Sequence, residues 1–300
     1  MISRSDFSAV TLEEKEFFDR HFAVYPQSHS DNTFTNMVCW MHYAKYEFAS
    51  SRGSVVLSST IAGERRYRCP IGPPDGDLLE EVIQLAALEE SEYPFMVMGE
   101  EDRSRLCEFH PEIPLVEARD LADYVYRTTD LAELRGRRYQ NIRKEVNRFR
   151  QKCSYAVEEI GRENIAEVDD FLRRWCDWRD CDSYPVLAAE EEAVLFAIRH
   201  FARLKLSGLL IRVDGEVGAI SIFEPLNCDT IVVHFEKGLP DCEGIYKAIN
   251  METAMRLRER YPFINRESDL GIIGLRVAKE RYHPAHMVPV YLVRGSDLPQ

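Results

Sequence analysis

The chain has 300 residues, 45% of them apolar, and a net charge of −13. That length exceeds one ordinary domain and points to two, each able to bury a core. The acidity excludes nonspecific binding to nucleic acid or an anionic surface by the molecule as a whole, and no DNA partner is expected; an anionic partner has to be met by a local patch.

No run approaches the ~20 apolar residues of a membrane-spanning helix, so no integral membrane segment is expected. The opening "MISRSDFSAVTLEEKEFF" has no apolar leader. The expectation is a cytoplasmic chain whose contact with a membrane is peripheral. The eight cysteines (39, 69, 107, 153, 176, 181, 228, 242) form no C-x-x-C and no zinc spacing. They read as reduced thiols, Cys176 and Cys181 included, with a redox couple between those two as the alternative. No metal site is expected.

In chain order, "TLEE" at 11–14 is a capping box ahead of "KEFFDRHF". "TFTNMVCWMHYAKYEFAS" reads as a helical turn running into a strand. "SVVLSST" and "RRYRCPIG" are strands of a meander, and "GPPDGD" is turn chemistry. "LLEEVIQLAALEE" has helical apolar spacing. "YPFMVMGE" is a short buried strand, and "SRLCEF" and "ADYVYRT" continue this α+β segment to about residue 127.

Residues 131–152, "LAELRGRRYQNIRKEVNRFRQK", break the acidic trend. From Tyr139 the period is helical, with Tyr139, Ile142, Val146 and Phe149 as one stripe. Arg143, Asn147 and Arg150 run beside it. This basic helix is either a solvated strut bridging two domains or a cleft wall whose donors meet phosphate.

The second half repeats the order: strand "YAVEEI", helix "NIAEVDDFLRRWCDWRD", helix "LAAEEEAVLFAIRHFARL", then the hairpin "SGLLIRVDGEVGAISIFEPL" turned at Asp214-Gly215. Strand "DTIVVHFEKG", loop "LPDCEG", helix "IYKAINMETAMRLRER", strand "YPFINRE", a helix from near Leu270 and strand "MVPVYLVRG" follow. The order resembles the acetyltransferase (GNAT) fold, in which a long strand and the next helix N-terminus hold a pyrophosphate. The usual Gly-rich loop is absent. Gly244 and Ile245 stand where that helix begins, and Asp241 and Glu243 add negative charge there.

Three motifs, "GRRYQNIRKEVNRF", "HFEKG…GIYKAIN" and "INRESDLGIIGLRVAKERYHP", with "TFTNMVCW" and "CPIG" in the first half, together resemble the C-terminal synthase domain of phosphatidylglycerol lysyltransferases and an uncharacterised bacterial family related to it. The resemblance implies an α+β fold of two tandem acetyltransferase-like (GNAT-type) domains, each a mixed, mostly antiparallel sheet flanked by helices. The expected division is 1–130 and 131–300, the second opened by the basic helix 131–152. It also implies transfer of an aminoacyl group from a charged tRNA to a lipid or peptide amine or hydroxyl.

Candidate residues follow from charge placed among apolar neighbours. Arg276 and Lys279 interrupt an apolar helix, and a buried unpaired cation costs several kcal/mol. They either pair with Glu267 and Asp269 in an internal network or form an anion pocket for a phosphate or carboxylate in which those acids orient the basic groups, and the two readings are compatible. Alternation puts His234 and Glu236 on one strand face, Phe235 and Lys237 on the other. Glu236 is the candidate proton acceptor or ammonium counter-ion, against a solvated strand-end carboxylate; His234 reads as a half-buried strand residue. Tyr282 is the candidate proton donor to a leaving group, against an ordinary buried tyrosine. Glu252, among Ile245, Ala248 and Ile249, requires a donor such as Arg276 or Arg143. Arg143, Asn147, Arg150, Lys237, Asn250, Asn265, Arg266, Glu267, Asp269, Arg276 and Lys279 are the candidate substrate-binding set, with Gly244 and Ile245 for a cofactor. No nucleophilic triad is present, so direct attack on an activated acyl group is the expected chemistry.

The leading expectation is an acyltransferase or aminoacyltransferase. It moves a group from aminoacyl-tRNA or acyl-CoA to a small-molecule or lipid-headgroup acceptor. The alternatives are a noncatalytic binding module and a CoA-dependent N-acetyltransferase of a metabolite.

Overall fold

The structure is a computed structural model and describes residues 1–181, 185–240 and 242–299. The chain divides into two compact units. The first comprises Met1–Asp123, Ser268–Ile272 and the segment from Met287; the second comprises Tyr124–Glu267 and Ile273–His286. Each holds a mixed sheet flanked by helices.

The first unit carries β1 (Ser8–Ala9), β2 (Glu47–Ser51), β3 (Ser54–Ile61), β4 (Glu64–Arg68), β5 (Phe95–Met98) and β6 (Val116–Glu117), with helices α1 (Lys15–Val24), α2 (Phe34–Cys39), α3 (Met41–Ala44), α4 (Gly76–Ala87) and α5 (Gly99–Phe109). The capping box forms as its sequence requires: Glu14 accepts from Thr11 N–H at 2.7 Å. Strands β2, β3 and β4 make the expected antiparallel meander, while β4 and β5 run parallel through Tyr67↔Phe95 and Arg68↔Met96. The apolar face of α4 (Leu78, Leu79, Val82, Ile83) closes over Val56, Tyr67, Phe95 and Val97, each fully buried aliphatic contributing about 1.5–3 kcal/mol. "SRLCEF" forms the end of α5.

The second unit carries β7 (Asp123–Arg127), β8 (Tyr155–Glu159), β9 (Ser207–Val213), β10 (Glu216–Pro225), β11 (Thr230–Gly238) and β12 (Phe263–Asn265), with α6 (Thr128–Glu133), α7 (Gln140–Lys152), α8 (Ile165–Arg179), α9 (Pro185–Arg199), α10 (Phe201–Leu204), α11 (Ile245–Leu257) and α12 (Ile273–Glu280). Its strand order is His286–Val288, β7, β12, β11, β10, β9, β8. "ADYVYRT" thus builds the second sheet, as β7, and pairs with β12. The Asp214-Gly215 turn takes φ of 50° and 91°, both left-handed, as a two-residue hairpin with the right twist requires. The stripe of α7 is buried at Ile142, Val146 and Phe149.

"MVPVYLVRG" is not one strand. It splits at Pro289 into β13 (His286–Val288), in the second sheet, and β14 (Val290–Val293), which lies between β5 and β6 in the first. Proline has no N–H for a ladder, so it marks the crossing point. Cys176 and Cys181 form a disulfide, with Cα atoms 5.2 Å apart, in place of the reduced pair expected. Asp180, left-handed at the end of α8, turns the chain back so that the two side chains meet.

Candidate active site

Strands β11 and β12 pair in parallel only through Thr230↔Phe263, Ile231↔Ile264 and Val232↔Asn265. Beyond Val232, β11 runs on to Gly238 while β12 ends. The Asn265 side chain accepts from Glu267 N–H at 2.7 Å, and Glu267 adopts φ +58°, a left-handed conformation that a non-glycine residue rarely holds. This turn takes the chain away from β11 and opens the sheet.

Polar groups line one face of β11 at that opening. Glu236 accepts from Arg266 Nη2 at 2.9 Å and from Asn250 Nδ2, on α11, at 3.1 Å. The Arg266 guanidinium lies over the rings of Tyr282, at 4.9 Å, and Tyr126, at 5.8 Å. Burial opposes its charge, but Glu236 more than compensates and holds its pKa above the usual arginine value. Arg266 Nη1, Asn250 Oδ1 and Ser221 Oγ are buried with no hydrogen-bond partner. Ser221 stands opposite Glu236 in the β10–β11 register, so both side chains share a face. Burial pushes the Tyr282 phenol well above its usual pKa, so it stays protonated at neutral pH.

Two residues along, His234 is clamped. Its Nδ1 is 2.9 Å from Glu267 and its Nε2 3.0 Å from Glu224. Burial alone would lower its pKa; the two carboxylates reverse that and raise it to about 9. At neutral pH it is an imidazolium donating from both nitrogens, with no lone pair left to take a proton.

Of the residues singled out from sequence, Glu236, Asn250, Arg266 and Tyr282 converge here, with Glu267 and Asn265 shaping the turn. Lys279 supports that turn from below: its ammonium donates to the carbonyl oxygens of Arg266, at 2.6 Å, and Glu267, at 3.0 Å. Arg276 is half-buried on α12. Helix α12 itself begins at Ile273, after left-handed Leu270 and Gly271, and exposes Ile273, Leu275 and Val277. Lys237 lies on the other face, paired with Glu190 at 2.6 Å over the Trp175 ring. Asp269 is in the first unit, paired with Arg119.

The basic stripe disperses. Arg143 donates to the carbonyls of Leu134 and Gly136, and Asn147 is exposed. Arg150 pairs with Glu252 at 3.1 Å, so the donor that Glu252 requires is Arg150, together with Tyr155 OH at 3.1 Å. Tyr126, Ser221 and Glu224 were not singled out from sequence. A hydroxyl in the apolar run "AISIF" is the one local signal among them; Tyr126 and Glu224 reach the site only through sheet pairing.

Gly244, at φ +94°, starts α11 where α7 packs: a Cβ there would stand 2.5 Å from Glu145 O. Ile245 N–H is taken by Cys242 O, and Glu243 pairs with Arg148 and Lys152. Asp241 lies outside the described residues. Gly244→Ala is expected to destabilise the protein by about 2 kcal/mol or more, read by urea unfolding, because both the backbone and the close approach reject a side chain.

The profile described as "Phosphatidylglycerol lysyltransferase, C-terminal" matches residues 22–294. The chain belongs to that family. Among solved structures it is similar to a conserved protein of unknown function from Bacteroides thetaiotaomicron, at 31% identity over 96% of this chain and 98% of that one, TM-score 0.87. The C-terminal domain assigned to a lysylphosphatidylglycerol synthetase of Agrobacterium fabrum shares the fold at 13% identity and TM-score 0.66, covering 94% and 91%. L-PGS from Bacillus licheniformis does so at 16% and 0.60, covering 93% and 91%. No curated protein matches the sequence. Membership of the lysyltransferase C-terminal family points to a transferase of the acyl or aminoacyl class. Among the described residues of this family member, no helix is long and apolar enough to cross a membrane.

Proposed function

We propose that this chain transfers an aminoacyl group from a charged tRNA to a polar or lipid-headgroup acceptor. In this reading its two units are tandem acetyltransferase-like domains, and the reaction takes place at the β11–β12 opening of the second. The observation that carries it is the buried Arg266–Glu236 pair with Arg266 Nη1 left open. A fixed N–H in a site screened from water suits an acyl carbonyl oxygen as negative charge develops on it. Glu236 is placed to take the proton of the attacking amine or hydroxyl, and the protonated Tyr282 phenol is suited to donate to the leaving oxygen.

The packing of α7 against the start of α11 favours aminoacyl-tRNA over coenzyme A, because a pyrophosphate needs open N–H groups at that helix end. Exposed cations around α7, including Arg135, Arg137, Arg138 and Lys144, support a polyanionic donor. Their surface ion pairs are worth little and exchange readily for phosphate. The apolar side chains exposed on α12 support a lipid acceptor.

The test is transfer of labelled amino acid from a charged tRNA pool to phosphatidylglycerol vesicles. Arg266→Lys is expected to cut turnover by roughly 10²–10³-fold with folding retained. A second reading, a noncatalytic module, is favoured by the engagement of both Glu236 oxygens within the protein. It wins if no charged tRNA is consumed while headgroup or amino acid ligands still raise the Tm.

A further inference from the structure

We propose that the first unit carries its own oxyanion site, for a phosphate or a carboxylate, built on the Arg68 guanidinium. Strand β4 ends at Arg68, in the last parallel pair with β5, and the chain then departs through "CPIGPPDG" toward α4. The residue is only 2% exposed. Its Nη1 donates to Asp31 O at 2.9 Å and Asn32 Oδ1 at 2.6 Å, and its Cζ lies 5.2 Å from the Tyr46 ring centroid. Among the described residues no carboxylate pairs with it, and its Nε is buried without a hydrogen-bond partner.

A guanidinium in that position loses hydration without gaining an anion, at a cost of several kcal/mol. Methionine would fill the space without that penalty. What arginine adds is the Nε–Nη2 edge, the side that grips a carboxylate or phosphate through two parallel N–H groups. Asn32 and the Asp31 carbonyl hold Nη1 and so fix the orientation of that edge; Asn32 is itself held by its Nδ2 bond to Gln27 at 2.7 Å. Two further buried atoms without a hydrogen-bond partner lie on neighbouring segments. Arg66 Nε, of a guanidinium whose Nη2 pairs with Glu64 at 3.4 Å, is two residues back on β4, and Thr35 Oγ1 is on α2, which follows the turn holding Asn32. The motifs "TFTNMVCW" and "CPIG", which the active site leaves unused, are the segments beside this group.

The full chain in anion-poor buffer is titrated with inorganic phosphate and, separately, acetate, with chloride as the ionic-strength control. Unfolding temperature and the Nε–H resonances of isotope-labelled arginine are followed. The expected result is a saturable rise in Tm and movement of the Arg68 Nε–H signal with one of the two anions. Arg68→Gln, which keeps a donor for Asn32 Oδ1, should bind it roughly tenfold or more weakly. A response to phosphate alone assigns the phosphate class; a response to acetate assigns the carboxylate class. The proposal is overturned if chloride acts equally, if no saturable shift occurs, or if Arg68→Gln responds at the same midpoint. Should that variant not fold, the wild-type Nε–H signal decides: its movement supports the site, and its standing still through the titration overturns it.

Discussion

Glu236→Ala is expected to destabilise the protein by about 3–5 kcal/mol, because it strips the anion from a cation largely shielded from water. The side chains of Arg266 and Glu236 are 15% and 11% exposed. Arg266 lies against the Tyr282 and Tyr126 rings and has one nitrogen already without a partner. Removing Glu236 also leaves Asn250 Nδ2 without its acceptor. The double replacement Glu236→Leu with Arg266→Met should recover most of the loss, since an apolar pair of similar volume bears no desolvation cost. A double-mutant cycle by urea unfolding measures this coupling. Additive single effects, or a double variant weaker than either single one, would show that the pair does not act as a unit.

The second large effect is on pH dependence. His234 has a folded pKa of about 9 against 6.5 for the free side chain. A group whose pKa rises on folding stabilises the folded state fully below its unfolded value and loses that contribution as pH climbs to the folded value. His234 should therefore contribute about 3 kcal/mol below pH 6.5, lost between 6.5 and about 9. His234→Gln is expected to be strongly destabilised at pH 6, with Glu224 and Glu267 left facing each other, and much closer to wild type at pH 9. Stability curves of equal slope for the two proteins across that window would refute the imidazolium clamp.

Local signals in the sequence were dependable wherever a few neighbouring residues decide the outcome. The Asp214-Gly215 hairpin and the Thr11 capping box depend on contacts within a dozen positions, and the apolar stripe of α7 is set by its own spacing even though distant elements cover it. Glu236 was legible as a strand-end carboxylate and Arg266 as a member of the candidate binding set, and the two form an ion pair. Their partners were not. Arg276 and Arg143 were the expected donors for Glu252, but Arg150 reaches it, because the angle at which α7 crosses α11 decides which side chain faces it. Tyr126 joins Arg266 only because β7 pairs with β12, a tertiary fact that leaves no trace in local spacing. Helix α12 reads as apolar on nearly every side, which suggests burial, yet Ile273, Leu275 and Val277 are exposed. Periodicity gives the shape of a helix; it does not say which face a neighbour covers.

The break at Pro289 bears on how the molecule is made. Strand β14 sits inside the first sheet, between β5 and β6, yet in the chain it follows every strand of the second sheet. During vectorial synthesis β5 and β6 wait with open edges while the whole of β7 to β12 emerges. The later-made sheet therefore has the opportunity to close before the earlier-made one. The first sheet is completed only when the segment after Pro289 pairs with both β5 and β6, a long-range contact of the kind that slows folding.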